Sequence, residues 1–173
     1  MMNLYQMNGK YRADEDRIIF RMKTRNGAVL LFSLTRRFVR LLWPVLADLL
    51  KTEYAHREPG RKHLTDAMVD FEGKKNLAQA DFRTPFETEG ANFPLGEKPV
   101  LLTRIVVKKN SDGTPMLCML PPHGRGIELP SNPRFIHSLR KLICDLAAKA
   151  RWDLDLEDTA VSVPERPASA ILH

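Results

Sequence analysis

From Asp16 to Met22, Ile18, Phe20 and Met22 alternate with Arg17, Ile19 and Arg21, the period of a strand with one buried face. Asn26-Gly27 follows. That dipeptide accepts positive φ angles, so a two-residue type I′ loop and a returning strand over Ala28 to Leu34 are predicted. The period then becomes helical: Phe38, Leu41, Leu42, Val45, Leu46, Leu49 and Leu50 form one stripe after Thr35, a good N-cap. Pro44 lies inside the stripe and removes a backbone hydrogen bond, which predicts a kink or two helical pieces.

The polar stretch Ala55 to Lys62, broken at Pro59-Gly60, reads as a connector. Leu64, Ala67, Met68 and Phe71 suggest a shorter helix after Thr65, with Gly73 working against its extension. Arg83 to Lys98 has no period and reads as a long loop, pinned to the body by Phe86 and Phe93. Val100 to Lys108 and Met116 to Leu120 are expected to pair across an Asn110 to Gly113 turn, and Ile127 to Leu129 to form a short strand. Asn132-Pro133 is an N-cap with proline in the first helical position. The helix it opens carries the stripe Phe135, Ile136, Leu139, Leu142, Ile143, Leu146, Ala147 and Ala150. Residues 153–173 lack such periodicity and are expected to form a mobile, disordered acidic tail.

These elements predict an α+β fold: an antiparallel sheet built from two hairpin-plus-helix units, with helices mainly on one face. One domain is expected over 1–152, with a candidate pseudo-repeat of 16–54 and 99–151 joined by a helix and long loop at 55–98. Arg17-Ile18-Ile19 and Arg104-Ile105-Val106 are its matching strand starts.

With 173 residues, 43% hydrophobic and 28% charged, the chain can bury a core, and it has no room for a large multidomain enzyme. Two cysteines, Cys118 and Cys144, lie in apolar segments, which speaks for a reducing compartment over a disulfide scaffold. The opening residues lack a signal-peptide core and no apolar run is long enough for a span, so a cytoplasmic location without membrane contact is expected. The net charge of +6 sits wholly in residues 1–51, which hold ten basic and four acidic residues. At the other end, a basic helix over 134–151 precedes the acidic residues of the tail.

No phosphate-loop, zinc-protease, paired-cysteine or serine-elbow pattern occurs. His123 beside Gly124-Arg125-Gly126 reads as a turn, because a strand and not a helix follows. The five histidines are scattered, and His137 and Cys144 stand two helical turns apart, too far for a catalytic pair. Glu87 and Glu89 read as solvated loop carboxylates. No catalytic residue, metal or cofactor is therefore predicted.

What remains is the basic cluster Arg17, Arg21, Lys23, Arg25, Arg36, Arg37 and Arg40. Arginines in a first helical turn oppose the helix dipole, and the two-residue loop would bring Asp16 opposite Arg37 to compensate. That same register sorts Val29 and Leu31 to the core side and mixes Leu30, Phe32 and Leu34 with Arg17, Ile19, Arg21 and Lys23 on the other. Three accounts fit such a face. The basic stems cover the leucines, or a protein partner or second copy covers the patch, or nucleic acid binds with phosphates on the cations and a base on Phe32. The preferred expectation is a non-enzymatic protein-binding or adaptor module, homodimeric in one version, using Arg17, Arg21, Lys23, Arg25, Leu30, Phe32, Arg36, Arg37 and Arg40. A nucleic-acid-binding regulator using residues 17–40 is the alternative, and an enzyme of unrecognised type the third.

The run Leu34-Thr35-Arg36-Arg37-Phe38 to Trp43, with Asp70-Phe71-Glu72 and Ala80-Asp81-Phe82-Arg83-Thr84-Pro85, resembles stretches of an uncharacterised bacterial protein family of unknown function. The resemblance covers most of the first hundred residues. It implies a bacterial source and carries over no activity and no functional residue.

Overall fold

The computed structural model describes residues 4–57, 65–78, 84–156 and 169–171. The elements run β1 (Leu4–Arg12), β2 (Arg17–Thr24), β3 (Val29–Thr35), α1 (Arg36–Arg57), α2 (Thr65–Ala78), β4 (Val100–Leu101), β5 (Arg104–Lys109), β6 (Pro115–Leu120), β7 (Ile127–Pro130), α3 (Pro133–Lys149) and β8 (Ser169–Ile171). Among the described residues two sheets form, one of order β4-β3-β2-β1-β8 and one of order β5-β6-β7. Each long helix thus follows a three-strand antiparallel meander, β1-β2-β3 before α1 and β5-β6-β7 before α3. The mixed α+β class expected from the alternation is the observed one.

Local chemistry explains why the helices start where they do. Thr35 Oγ1 accepts from the Phe38 N–H at 3.1 Å, and Asn132 Oδ1 accepts from the Arg134 N–H at 2.9 Å ahead of Pro133. α1 is one unbroken 22-residue helix, not two pieces. Pro44 is exposed, as is Arg40, whose carbonyl the proline leaves without its usual donor, so water can take that place. Phe38, Leu42, Leu46 and Leu50 of α1 and Ile136, Leu139, Ile143 and Leu146 of α3 join the inner faces of both sheets in one hydrophobic cluster. The two helices run in opposite directions: Arg36 Nη2 donates to the Asp153 carbonyl at 2.9 Å, while Tyr54 Oη and His137 Nε2 lie 3.5 Å apart at the other end.

Three expectations need correction, and one strand, β1, is new. Gly9 hides the alternation of β1 by standing where an apolar side chain would; a Cβ there would overlap Leu146 Cδ1, so Leu146 fills that space instead. The expected strand over 100–108 is two strands in different sheets, because the chain leaves β3 after Leu101 and turns to β6 at Arg104. α2 runs through Gly73, where a Cβ would meet the His137 ring at 2.9 Å. Close approach to α3 therefore sets its inward side: Val69 is buried, while Phe71, expected in the apolar stripe, is exposed; Leu64 lies outside the described residues. Part of the tail is ordered: Leu154 and Leu156 pack against the core, and β8 pairs with β1 through Gln6–Ile171, Met7–Ala170 and Asn8–Ser169. Residues 157–168 and 172–173, also within the expected tail, lie outside the described residues.

Candidate functional site

The basic and apolar residues of the first hairpin are arranged by its turn. Gly27 has φ of 83°, its N–H donates to Thr24 O at 3.0 Å, and Thr24 N–H donates to Ala28 O at 2.9 Å. The loop is therefore Arg25-Asn26-Gly27, three residues with glycine in the left-handed position, and not the two-residue loop expected. Thr24 holds it, since its buried hydroxyl donates to Ala28 O and accepts from Ala28 N–H, both at 3.1 Å, and also meets Asn26 Oδ1.

One extra loop residue shifts the return strand by one position, which exchanges its two faces. Ile18, Phe20 and Met22 pair with Leu34, Phe32 and Leu30, and all six are buried on the core side. Phe32 is fully inaccessible and Leu30 is 3% exposed, so neither of these two expected contact residues is on the surface. Arg17, Ile19, Arg21 and Lys23 stand instead beside Thr35, Ser33, Leu31 and Val29. Asp16 does not oppose Arg37 either. It accepts from Tyr11 Oη at 2.8 Å and Trp152 Nε1 at 2.6 Å, and these bonds, Trp152 first, together with the Arg36 charge hold its carboxyl below the usual carboxylate range.

The chain itself covers much of the outer face that results. Gln6 Nε2 donates to Thr84 O at 3.2 Å and Pro85 O at 3.1 Å, and Lys23 Nζ donates to Glu87 O at 3.0 Å. The Arg21 guanidinium lies 4.9 Å from the Phe86 ring centre and donates to Asn8 Oδ1, and burial lowers its pKa. Asn92 then bonds across the hairpin end, accepting from Val29 N–H at 2.7 Å and donating to Gly27 O at 3.3 Å, before β4 runs parallel to β3. Gln6, absent from the expected site, is 2% exposed, and residues 84–102 act as a strap. Arg21 and Lys23 are clamps for that strap. Arg25 is exposed, 5.7 Å from the Tyr5 ring centre, and Arg17 lies 4.0 Å from Glu15.

Two surfaces of the described residues present exposed cations. Arg36, Arg37 and Arg40 are exposed on α1; Arg36 is tied to Asp153 O, while Arg37 and Arg40 have no hydrogen-bond or ion-pair partner among the described residues. The other is β5. On the inner face of the second sheet, Leu117, Met119, Ile127 and Leu129 are buried, but β5 itself is exposed along nearly its whole length, with Val106 at 38% and Val107 at 46%. Among the described strands it pairs with β6, and none lies along its other edge.

Across the outer face of this sheet, Lys108 Nζ and Glu128 Oε1 lie 2.6 Å apart, spanning β6 at Cys118. Their hydrogen bond raises the Lys108 pKa and lowers that of Glu128, while burial pushes the Cys118 thiol up and away from the reactive thiolate. Burial likewise raises Tyr54 to about 12. A recess of about 420 Å³ beside β1 and the end of α3 is lined by Asn8, Lys10, Tyr11, Arg21 and Lys149, cations and neutral groups without a carboxylate, thiol or imidazole. Among the described residues, no three His, Cys, Asp or Glu side chains gather as metal ligands, and no helix is long and apolar enough to cross a membrane. Comparison of the chain with models of protein families, with curated proteins and with solved structures gave no match in any of the three.

Proposed function

We propose that the protein is a non-enzymatic protein-binding module that takes an extended segment of its partner as an added strand on the free edge of β5. The observation that carries this reading is the coincidence, in one six-residue strand, of an edge without a described neighbour and two exposed valines, one on each face. An open edge offers a row of backbone donors and acceptors, and the side chains on either face select the guest. The surface expected from the sequence gives way to this one because the strap and the observed register leave it little room.

Selection of extended peptides of about ten residues on the whole chain, followed by amide hydrogen exchange, tests the reading. Bound peptides should slow exchange within residues 104–109 and leave β2 and β3 unchanged. Protection over residues 36–44 instead would move binding to the helix and sink the proposal.

A second reading rests on the exposed Arg36, Arg37 and Arg40, which would hold the phosphates of a nucleic acid. Its mark is affinity falling steeply with salt, with Arg37→Ala and Arg40→Ala together reducing the log–log salt slope by roughly 2.

A further inference from the structure

Resting on the β5 reading above, we infer that the guest strand is acidic: a partner segment in which carboxylates flank a short run of branched apolar residues, rather than the β5 of a second copy. Arg104, Val106 and Lys108 share the outer face of β5, and Ile105, Val107 and Lys109 the inner one. Three of the six residues are cations, none is acidic, and all three cations are exposed. The strand therefore asks for a carboxylate, an apolar residue and a carboxylate at alternate positions of its guest's outer face.

Self-pairing fails on the same arrangement. Any antiparallel register that places Val106 against a valine of another copy brings Arg104 opposite Lys108 or Lys109, and like charges facing each other across a ladder repel. Edge lysines commonly guard a sheet in this way. The molecule itself shows what charge they accept: Glu128 reaches Lys108 from two strands away, across β6. A guest on the open side would lie only one strand away. Lys109 has no hydrogen-bond or ion-pair partner among the described residues, and Arg104 makes only a 3.4 Å contact with the Pro121 carbonyl.

The test uses the whole chain and labelled peptides of about eight residues, read by fluorescence anisotropy. One peptide carries the run Glu-Glu-Val-Val-Val-Glu between two serines, which sets carboxylates opposite Lys109, Lys108 and Arg104 and valines opposite Val107, Val106 and Ile105 of an antiparallel partner; a second has serine and a third lysine in place of each glutamate, and a fourth is the glutamate peptide N-methylated at two successive amides, which blocks both of its edges. The glutamate peptide should bind about tenfold tighter than the serine peptide, as two or three cross-strand ion pairs would give. The lysine and N-methylated peptides should not bind. Arg104→Glu with Lys109→Glu should reverse the preference in favour of the lysine peptide, an outcome that unfolding cannot produce. Equal binding of the glutamate and serine peptides would overturn the acidic guest while leaving strand addition standing. Binding of the N-methylated peptide as tightly as its parent would overturn strand addition itself. Sedimentation showing a dimer through β5 that excludes every peptide would replace the acidic guest with a second copy.

Discussion

The five-stranded and three-stranded sheets start alike, each from an antiparallel meander running into a capped helix, and end differently. β1-β2-β3 receives β8 on one edge and β4 on the other, and residues 84–102 cross its outer face. β5-β6-β7 receives no described strand on either edge. The difference teaches that local pattern builds the meander, whereas distant chain decides whether it is finished. The contrast also explains why the cations of the two sheets behave differently. Arg21 and Lys23 hold the strap, while Lys109 faces solvent.

The most severe way to break the finished half is through its core. Phe32→Ala should cost about 3–5 kcal/mol in urea unfolding, because the ring is fully buried opposite Phe20. A loss below about 1 kcal/mol would mean that the ring is exposed and the two-residue loop correct after all. Gly27→Val attacks the turn that sets the register. With φ at 83°, a β-branched residue there should cost roughly 1–2 kcal/mol, visible as a lowered denaturation midpoint.

The two helix starts offer a matched pair of smaller effects. Thr35→Ala and Asn132→Ala should each lose about 1 kcal/mol by chemical denaturation, since each removes one cap bond. A loss from one alone would show that only one meander depends on its cap.

Acid should distinguish the halves by slope. The Asp16 carboxyl, on the β1-β2 side, is lowered by its bonds to Trp152 and Tyr11, so the stability it contributes is present above the ordinary carboxylate pKa and lost as pH falls through the lowered value. Melting curves taken from about pH 6 to about pH 2 should be flatter on the acid side for Asp16→Asn than for the parent. Glu128 is also lowered, by Lys108, but this pair is exposed, and Glu128→Gln should leave the slope nearly unchanged at high salt. The smallest effect belongs to the unfinished edge: Val106→Thr should change stability by less than about 0.5 kcal/mol while weakening any bound strand.

Much of the fold was legible in the chain. Both long helices, their caps, the first hairpin and the second meander follow from periodicity and turn chemistry, because those signals act over a few neighbouring residues. The candidate site was far less legible. Asn26-Gly27 is compatible with loops of two or three residues, and the deciding contacts are made by the Thr24 hydroxyl with Ala28. Tyr5, Met7 and Tyr11 alternate with Gln6, Asn8 and Lys10 and could have revealed β1, had Gly9 not interrupted the pattern. Nothing near Gln6, Arg21 or Lys23 announces that residues 84–87 will return to them from more than sixty positions away.

Residue order alone determined where the two long helices, the first hairpin and the second meander form and that the excess positive charge lies in the first third of the chain. Tertiary structure decided which faces those charges occupy and which edges stay open. A one-residue difference in a turn exchanges the two faces of a strand at almost no local cost, and covering a sheet depends on loop closure across the whole chain. Neither is written in a window of neighbours, so Arg21 and Lys23 became clamps for the strap and the quieter β5 became the exposed edge.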